Sequence, residues 1–408
     1  MMQVSDKTKC CGCTACASSC PRNCITMQYD EEGFLYPVVD KELCVNCGIC
    51  DKVCPFGHLN DRVATNSSTF MALQNSNQNV RMNSTAGGAF SLIAEYIINN
   101  GGVVYAVGYN AEMTVCHEKC DSISGLNKLR GSKYVQSDLR NIFVDIKSDI
   151  VERLVLFVGT PCQVHGLKAF VGDNKNLYTI DLLCLGVSSP KLFAEWIDYL
   201  NDKYHSQVRH VSFRDKHYGY STPNVRVFFE DGKSMDQKYD TRVHANLFFR
   251  HYNVRPSCYE CQFRAVPRVS DFTIGDFNEI GSINKKMDDD KGTTKVWIHT
   301  GHGKELFRAL ETGAVYYILD VSGSNIIGGP KKQIKIPEKR ADFFTDASKM
   351  SYLALISKWQ PKNIKGELAG ILRPIINMLP FKSHIFQYLR KIKSRNYEKH
   401  VRELNSNK

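Results

Sequence analysis

The chain has 408 residues, is 43% hydrophobic, holds 16 cysteines and carries a formal net charge of +11, a size that predicts two to three domains. No apolar run approaches the ~18 residues needed to cross a bilayer, which argues against a helical membrane span, and the positive charge comes with no recognisable nucleic-acid-binding module, so nucleic acid is not expected as a partner. The charge is local: from Lys331 to Lys408 there are 18 Lys and Arg against 6 Asp and Glu, leaving the rest near neutral.

Two copies of one spacing fill residues 10–55: Cys10-x2-Cys13-x2-Cys16-x3-Cys20-Pro21 and Cys44-x2-Cys47-x2-Cys50-x3-Cys54-Pro55. This is the bacterial two-cluster ferredoxin run, in which the fourth cysteine of each copy ligates the cluster of the other. The expected ligand sets are Cys10, Cys13, Cys16 and Cys54 for one 4Fe-4S cluster, and Cys44, Cys47, Cys50 and Cys20 for another. Structural zinc would call for separated pairs rather than a triplet plus one. Disulfides would need an oxidising compartment, and no secretory signal precedes Met1–Lys7, so a cytoplasmic setting is expected. Cys11 and Cys24 fall outside the pattern and are expected as packed thiols beside the clusters.

An α+β ferredoxin-like module is therefore predicted over 1–60, followed by a polar linker over 61–83 with Asn66-Ser67-Ser68 and Asn75-Ser76-Asn77. An α/β rhythm follows, read as two regions, 84–150 and 151–330. A helix is expected at Ala89–Ile98, stopped by Gly101-Gly102, then a strand at Val103–Val107 and a helix at Tyr134–Val144. The apolar run Leu154–Val158 suits a buried parallel strand. After it come a helix at Cys162–Phe170, a strand at Leu177–Leu183 and a helix at Pro190–Leu200, with later strands at Val225–Phe229 and Val296–His299.

Four cysteines outside the module converge on one place. In a right-handed strand–helix–strand unit both strands run parallel, so Cys162, after the first, and Cys184, after the second, lie at the same carboxyl edge, where open α/β sheets bind ligands. Cys258 and Cys261 add a chelating pair. A third 4Fe-4S cluster on these four is the expectation; structural zinc suits the same ligands, and inert buried thiols are the remaining reading. Cys116 and Cys120 are read as bystanders. His165, three residues past Cys162, is a proton-donor candidate but reads more simply as a helix-surface histidine. Asp276 reads as a turn organiser through side-chain to backbone hydrogen bonds.

One-electron clusters feeding organic chemistry call for a flavin, which works in electron pairs. Ser84-Thr85-Ala86-Gly87-Gly88 sets bare N–H groups at a helix start, suited to a pyrophosphate. Arg130-Gly131-Ser132-Lys133 adds cations and a hydroxyl, and Lys291-Gly292-Thr293 is a second cationic turn. Each also fits an ordinary cap or loop. No GxGxxG fingerprint is present, so an NAD-binding half is not supported.

Taken as a set, Ser84–Gly88, Leu129–Gln136, Val158-Gly159-Thr160-Pro161-Cys162-Gln163, Arg255-Pro256-Ser257-Cys258-Tyr259-Glu260-Cys261, Ser270–Phe277 and Asp290–Thr293 resemble the family of coenzyme F-420 hydrogenase/dehydrogenase beta subunits over roughly residues 70–320. The resemblance implies an iron–sulfur flavoprotein oxidoreductase that binds FAD beside a 4Fe-4S cluster. It supports the third cluster on Cys162, Cys184, Cys258 and Cys261, and implies a redox donor protein or reduced carrier and, in some arrangements, a partner enzyme. Acceptors differ among members: archaeal ones reduce coenzyme F-420, a plant relative reduces a hydroxymethyl group on chlorophyll, and many bacterial ones with a fused ferredoxin module look like accessories of surface-polysaccharide biosynthesis.

The basic tail, 331–408, is read as helical. Leu368, Ile371, Leu372, Ile375, Ile376 and Leu379 recur at helical spacing, followed by Ile385, Leu389 and Ile392 among Lys382, Arg390, Lys391, Lys393 and Arg395. Such a stripe docks on protein or lies on an anionic membrane at the inner face; Pro374 and Pro380 break it into short pieces and favour docking.

Overall fold

The computed structural model describes residues 4–57, 68–264, 268–319 and 333–360. In the N-terminal module, strands β1 (Ile25–Tyr29) and β2 (Leu35–Val39) form an antiparallel hairpin. The two cysteine copies surround it, each with a one-turn helix, Ala15–Ser18 and Ile49–Lys52. Both helices start from a left-handed residue, Thr14 at φ 62° and Gly48 at φ 72°. The same turn thus recurs in both copies, as the duplicated spacing requires.

The rest is built on an eight-stranded mixed sheet in the order β13-β3-β12-β11-β7-β6-β4-β5. Its strands are β3 (Thr69–Asn75), β4 (Val103–Tyr109), β5 (Val115–Cys120), β6 (Val155–Gly159), β7 (Leu177–Leu182), β11 (Phe272–Asp276), β12 (Thr294–Ile298) and β13 (Ala314–Leu319). β4, β6, β7 and β11 run parallel in the middle, while β12, β3 and β13 continue antiparallel on one side and β5 on the other. The central strands are buried, which is why Val155–Val158 is apolar without alternation. A smaller antiparallel sheet, β8 (Val208–Asp215), β9 (Asn224–Phe229) and β10 (Ser234–Asp236), packs with the helices Pro190–Tyr204 and Tyr239–Phe249 around Trp196, Phe213 and Val227.

Two expectations need correction. The segment expected as a linker over 61–83 contains β3, a buried strand of the main sheet, and the helix Gln78–Met82. Its apolar core Phe70-Met71-Ala72-Leu73 is short and hidden between polar flanks, and those flanks are caps: Asn77 accepts hydrogen bonds from the Asn79 and Val80 N–H groups. The helix expected at Tyr134–Val144 begins only at Ile142 and runs to Asp149. Upstream of it the backbone bonds sideways, with Gln136 N donating to Ser188 O, Asp138 N to Val115 O and His117 N to Asp138 O.

The basic tail begins with helices Arg340–Ala347 and Tyr352–Trp359, whose Phe343, Leu355 and Ile356 are buried against Leu192, Leu247 and Trp196. The stripe from Leu368 to Ile392 lies outside the described residues. Among the described residues, no helix is long and apolar enough to cross a membrane.

The ferredoxin-type module sits on the sheet domain through a buried seam. Gly166, in the helix Pro161–Val171, faces Cys13 so closely that a Cβ there would stand 2.7 Å from its sulfur. Arg340 makes a paired contact with Glu32 at 2.8 and 2.5 Å, and Ser189 Oγ donates to the Glu32 carbonyl. An exposed helical Gly→Ala change ordinarily gains about 1 kcal/mol. Here Gly166→Ala is expected to lower stability by about 1–3 kcal/mol through overpacking, read as a lower denaturant midpoint in anaerobic unfolding.

Candidate functional site

The cysteines gather in three cavities. Cys20, Cys44, Cys47 and Cys50 line an outer one of about 380 Å³ with Cys24, whose sulfur is 3.3 Å from that of Cys20. Cys10, Cys13, Cys16 and Cys54 line an inner one of about 370 Å³. In both, the fourth cysteine comes from the other copy. Cys162, Cys184, Cys258 and Cys261 line a third cavity of about 560 Å³. The inner and third cavities share two wall residues, Cys11 and Phe56. Only the outer set has an exposed member, Cys47.

Local structure explains how four distant thiols meet in the third cavity. β6 and β7 are parallel in the register Gly159↔Asp181, so both chains leave the sheet at the same edge. In Gly159-Thr160-Pro161-Cys162-Gln163, Pro161 opens the helix and Gln163 Oε1 accepts from the Thr160 N–H at 2.9 Å. This cap fixes Cys162 in the first turn, with the Thr160 hydroxyl 3.2 Å from its sulfur. Across the cavity the Gly186 N–H donates to the Cys184 sulfur at 3.3 Å, and the one-turn helix Pro256–Tyr259 presents Cys258.

The protonation of these thiols is set by burial and by one another. Burial pushes Cys184 up to about 12 and raises Cys258 and Cys261, with neighbouring thiolates adding to the effect. The adjoining Cys11 thiol, helped by the Thr160 hydroxyl, draws Cys162 the other way. Among the described residues, no group of three or more Cys, His, Asp or Glu stands ready to share a single ion. The four sulfurs line one common space.

Ser84, Thr85, Arg130, Ser132 and Lys133 converge on a separate open cleft of about 620 Å³. Its two loops are tied together: Ser132 N donates to Thr85 Oγ1 at 2.9 Å, and the two hydroxyls are 3.2 Å apart. Lys133 Nζ donates to the carbonyls of Val107, Leu129 and Arg130, and Arg130 pairs with Glu95 and Ser91. Burial lowers Lys133 to about 7. The segment from Lys133 to Gln136 connects this cleft to the third cavity, which Gln136 lines; three residues span about 10 Å at most.

Other expected contacts lie behind the cleft. Gly87 N donates to Thr294 Oγ1, and a Cβ on Gly87 would collide with the Leu73 carbonyl, so this glycine permits close packing on the sheet. Gly88, at φ 90°, starts the helix Ala89–Asn99. Lys291 reaches Gln78 at the surface, Gly292 O accepts from Arg81, and Thr293 bonds Gln74 and the Met287 carbonyl. That turn supports the Ser84 loop through Lys216, whose buried Nζ donates to the carbonyls of Arg81, Ala86 and Lys291.

β8 and the residue that follows it supply cleft residues that sequence reading missed: His210, Ser212 and Arg214 on the strand and Lys216 just past it. Their signal was present, since Val211 and Phe213 alternate with them and face the core. Asp276 pairs with Arg214 at 2.6 Å rather than organising its own turn. His165 is buried beside Phe263, its ring 4.9 Å away, and is not a helix-surface residue. Cys116 and Cys120 are buried on β5, away from all four spaces.

Residues 152–322 match the family described as the C terminus of the beta subunit of coenzyme F-420 hydrogenase/dehydrogenase, and residues 9–58 match a 4Fe-4S dicluster domain. Among curated proteins the chain is similar to the F subunit of F(420)H(2) dehydrogenase from Methanosarcina mazei, 24% identical over 325 residues, covering 75% of this chain and 83% of that one. Among solved structures it is similar to a chain of the F-420-reducing nickel–iron hydrogenase complex of Methanosarcina barkeri, with a TM-score of 0.44, 15% identity and coverage of 73% of this chain and 94% of that one.

With one thiol of the third cavity removed, Cys258→Ser is expected to hold less iron and sulfide than the unaltered chain while the dicluster signals stay in place. Lys216→Met leaves the Ala86 and Lys291 carbonyls without their donor, at about 1–3 kcal/mol each where they are buried, while the Arg81 carbonyl keeps the Ser84 N–H. It is expected to loosen the Ser84 loop, read as faster amide hydrogen exchange over that loop.

Proposed function

From a chain that joins a 4Fe-4S dicluster domain to a domain matching the C-terminal part of coenzyme F-420 hydrogenase/dehydrogenase beta subunits, we propose an iron–sulfur flavoprotein oxidoreductase that passes electrons from a low-potential donor to an organic acceptor. Cys10, Cys13, Cys16 and Cys54 would hold one cluster, Cys20, Cys44, Cys47 and Cys50 a second, and Cys162, Cys184, Cys258 and Cys261 a third. The cleft of Ser84, Thr85, Arg130, Ser132 and Lys133 would take FAD. Clusters exchange single electrons and the flavin works in pairs, which is the chemistry these groups supply when bound.

The observation that carries the reading is the order of the spaces: an outer thiol set with the exposed Cys47, an inner set, a third set sharing the walls Cys11 and Phe56, and then the cleft at the other end of the Lys133–Gln136 run. The chain's own residues perform three tasks in it. Thr160, Gly186 and Arg255 place donors near sulfur. Phe56 and Phe263, in T-shaped contact at 5.1 Å, shield the third cavity from water. Lys133 and Lys216 hold the loops of the cleft in position through backbone carbonyls.

A second reading is favoured by the Methanosarcina mazei relative, whose name makes it one subunit of a larger enzyme: the chain delivers electrons to a partner enzyme. Anaerobic preparation with iron, sulfide and flavin counts tests the first reading. Three clusters and one FAD per chain are expected, with the bound flavin bleached by reduced ferredoxin or reduced coenzyme F-420. Zinc in place of the third cluster would overturn that part. Bleaching only when a second protein is added would favour the partner-enzyme reading.

A further inference from the structure

Arg255 is fully buried, yet among the described residues no carboxylate pairs with it. Its Nε donates to the Cys10 carbonyl at 2.9 Å, its Nη1 to Gln136 Oε1 at 3.0 Å and its Nη2 to the Leu35 carbonyl at 3.0 Å, with Nη2 also 3.7 Å from the Cys10 sulfur. The guanidinium lies 4.1 Å from the centre of the Tyr36 ring. It lines the third cavity while touching a ligand of the inner one. Neutral carbonyls and a ring face solvate a cation without cancelling its charge. A permanently charged group in such a place is strongly unfavourable unless an anion stands nearby. The ionisable groups that act on it are Cys10 of the inner set, Cys258 of the third set, Cys11 between them and the Tyr36 phenol. Gly12 shows how tightly the arrangement is built, because a Cβ there would stand 2.5 Å from Gln136 Nε2 and 3.2 Å from Arg255 Nη1.

We propose that Arg255 is the counter-charge shared by the inner and third thiol sets, and that it raises the reduction potentials of both relative to the outer set. The inference rests on the cluster assignments above. One electron, supplied by a low-potential one-electron donor, adds one negative charge to a set; a fixed cation a few ångströms away stabilises that charge without a proton being taken up. Net charge near a cluster and hydrogen bonds to its sulfurs are established levers on its potential. The outer set faces solvent through Cys47 and does not touch Arg255. Arg255 therefore offsets, at the two buried sets alone, the lowering of potential that loss of solvent imposes. Arg255 acts here as a positioning residue through charge.

The test is a dithionite titration with mediator dyes, followed by electron paramagnetic resonance, on full-length protein of known iron content. Cys47→Ser and Cys258→Ser variants assign the outer and third signals. In Arg255→Gln the inner and third signals are expected to become at least tenfold harder to reduce, about 59 mV for a one-electron couple, while the outer signal stays. Arg255→Lys keeps the charge and is expected to retain most of the potential. Gln136→Glu sets a carboxylate against the guanidinium and is expected to move both signals in the same direction as Arg255→Gln. If Arg255→Gln loses iron, Gln136→Glu decides. Unmoved potentials in an iron-replete variant would overturn the proposal, as would equal shifts in Arg255→Lys and Arg255→Gln, or loss of iron from Arg255→Lys as well. A protein lacking iron in the third set fails the functional reading instead, and the inner signal alone then decides the role of Arg255.

Discussion

The seam between the ferredoxin-type module and the sheet domain is the constraint on which the rest depends. Along it, Cys13 rests on Gly166, the Arg255 guanidinium reaches into the module at Cys10 and Leu35, and Ser189 and Arg340 hold Glu32. A module held by apolar contact alone could slide or rotate. Buried hydrogen bonds admit one register, because any displacement leaves polar groups unpaired in a low-dielectric setting. That register gives the inner and third cavities a common wall.

The sheet domain contributes a second constraint, that of strand direction. Parallel β6 and β7 release their chains at one edge, where Cys162 and Cys184 meet and where α/β sheets commonly build sites. The antiparallel flank of β12, β3 and β13 does different work. It anchors the Ser84 loop, through Gly87 on Leu73 and Thr294 and through the Arg81 contact with Gly292. The β8–β10 sheet then closes the cleft from the far side with Arg214, joined by Lys216 just past β8. Each wall of the cleft thus comes from a different part of the fold, and the half-buried Lys133 and buried Lys216 join them by bonding carbonyls rather than acids.

Much of this was legible in the amino acids. The cysteine duplication led to the expectation of crossed sets, and in the fold Cys54 and Cys20 line the cavities of the opposite copies. The rhythm of strand, helix and strand around Val155–Leu182 placed Cys162 and Cys184 at one edge, because short-range periodicity survives intact in buried parallel strands. Reading failed where local pattern and long-range pairing diverge. β3 is a short apolar run flanked by asparagines that look like a loop and function as caps. Tyr134–Leu139 has helical spacing, yet its backbone bonds to Ser188 and Val115. The Lys291 turn, expected beside a cofactor, is tied to the Ser84 loop through Lys216.

The amino-acid sequence by itself determined the thiol inventory, its pairing across the duplication and the α/β alternation, because ligand spacing and hydrophobic period are local properties of a chain. Only the tertiary structure decided that Arg255 lies between two thiol sets, that His165 is buried, and that β8 completes the cleft. Those facts depend on which surfaces meet, and burial and electrostatic environment belong to contacts between residues far apart in the chain.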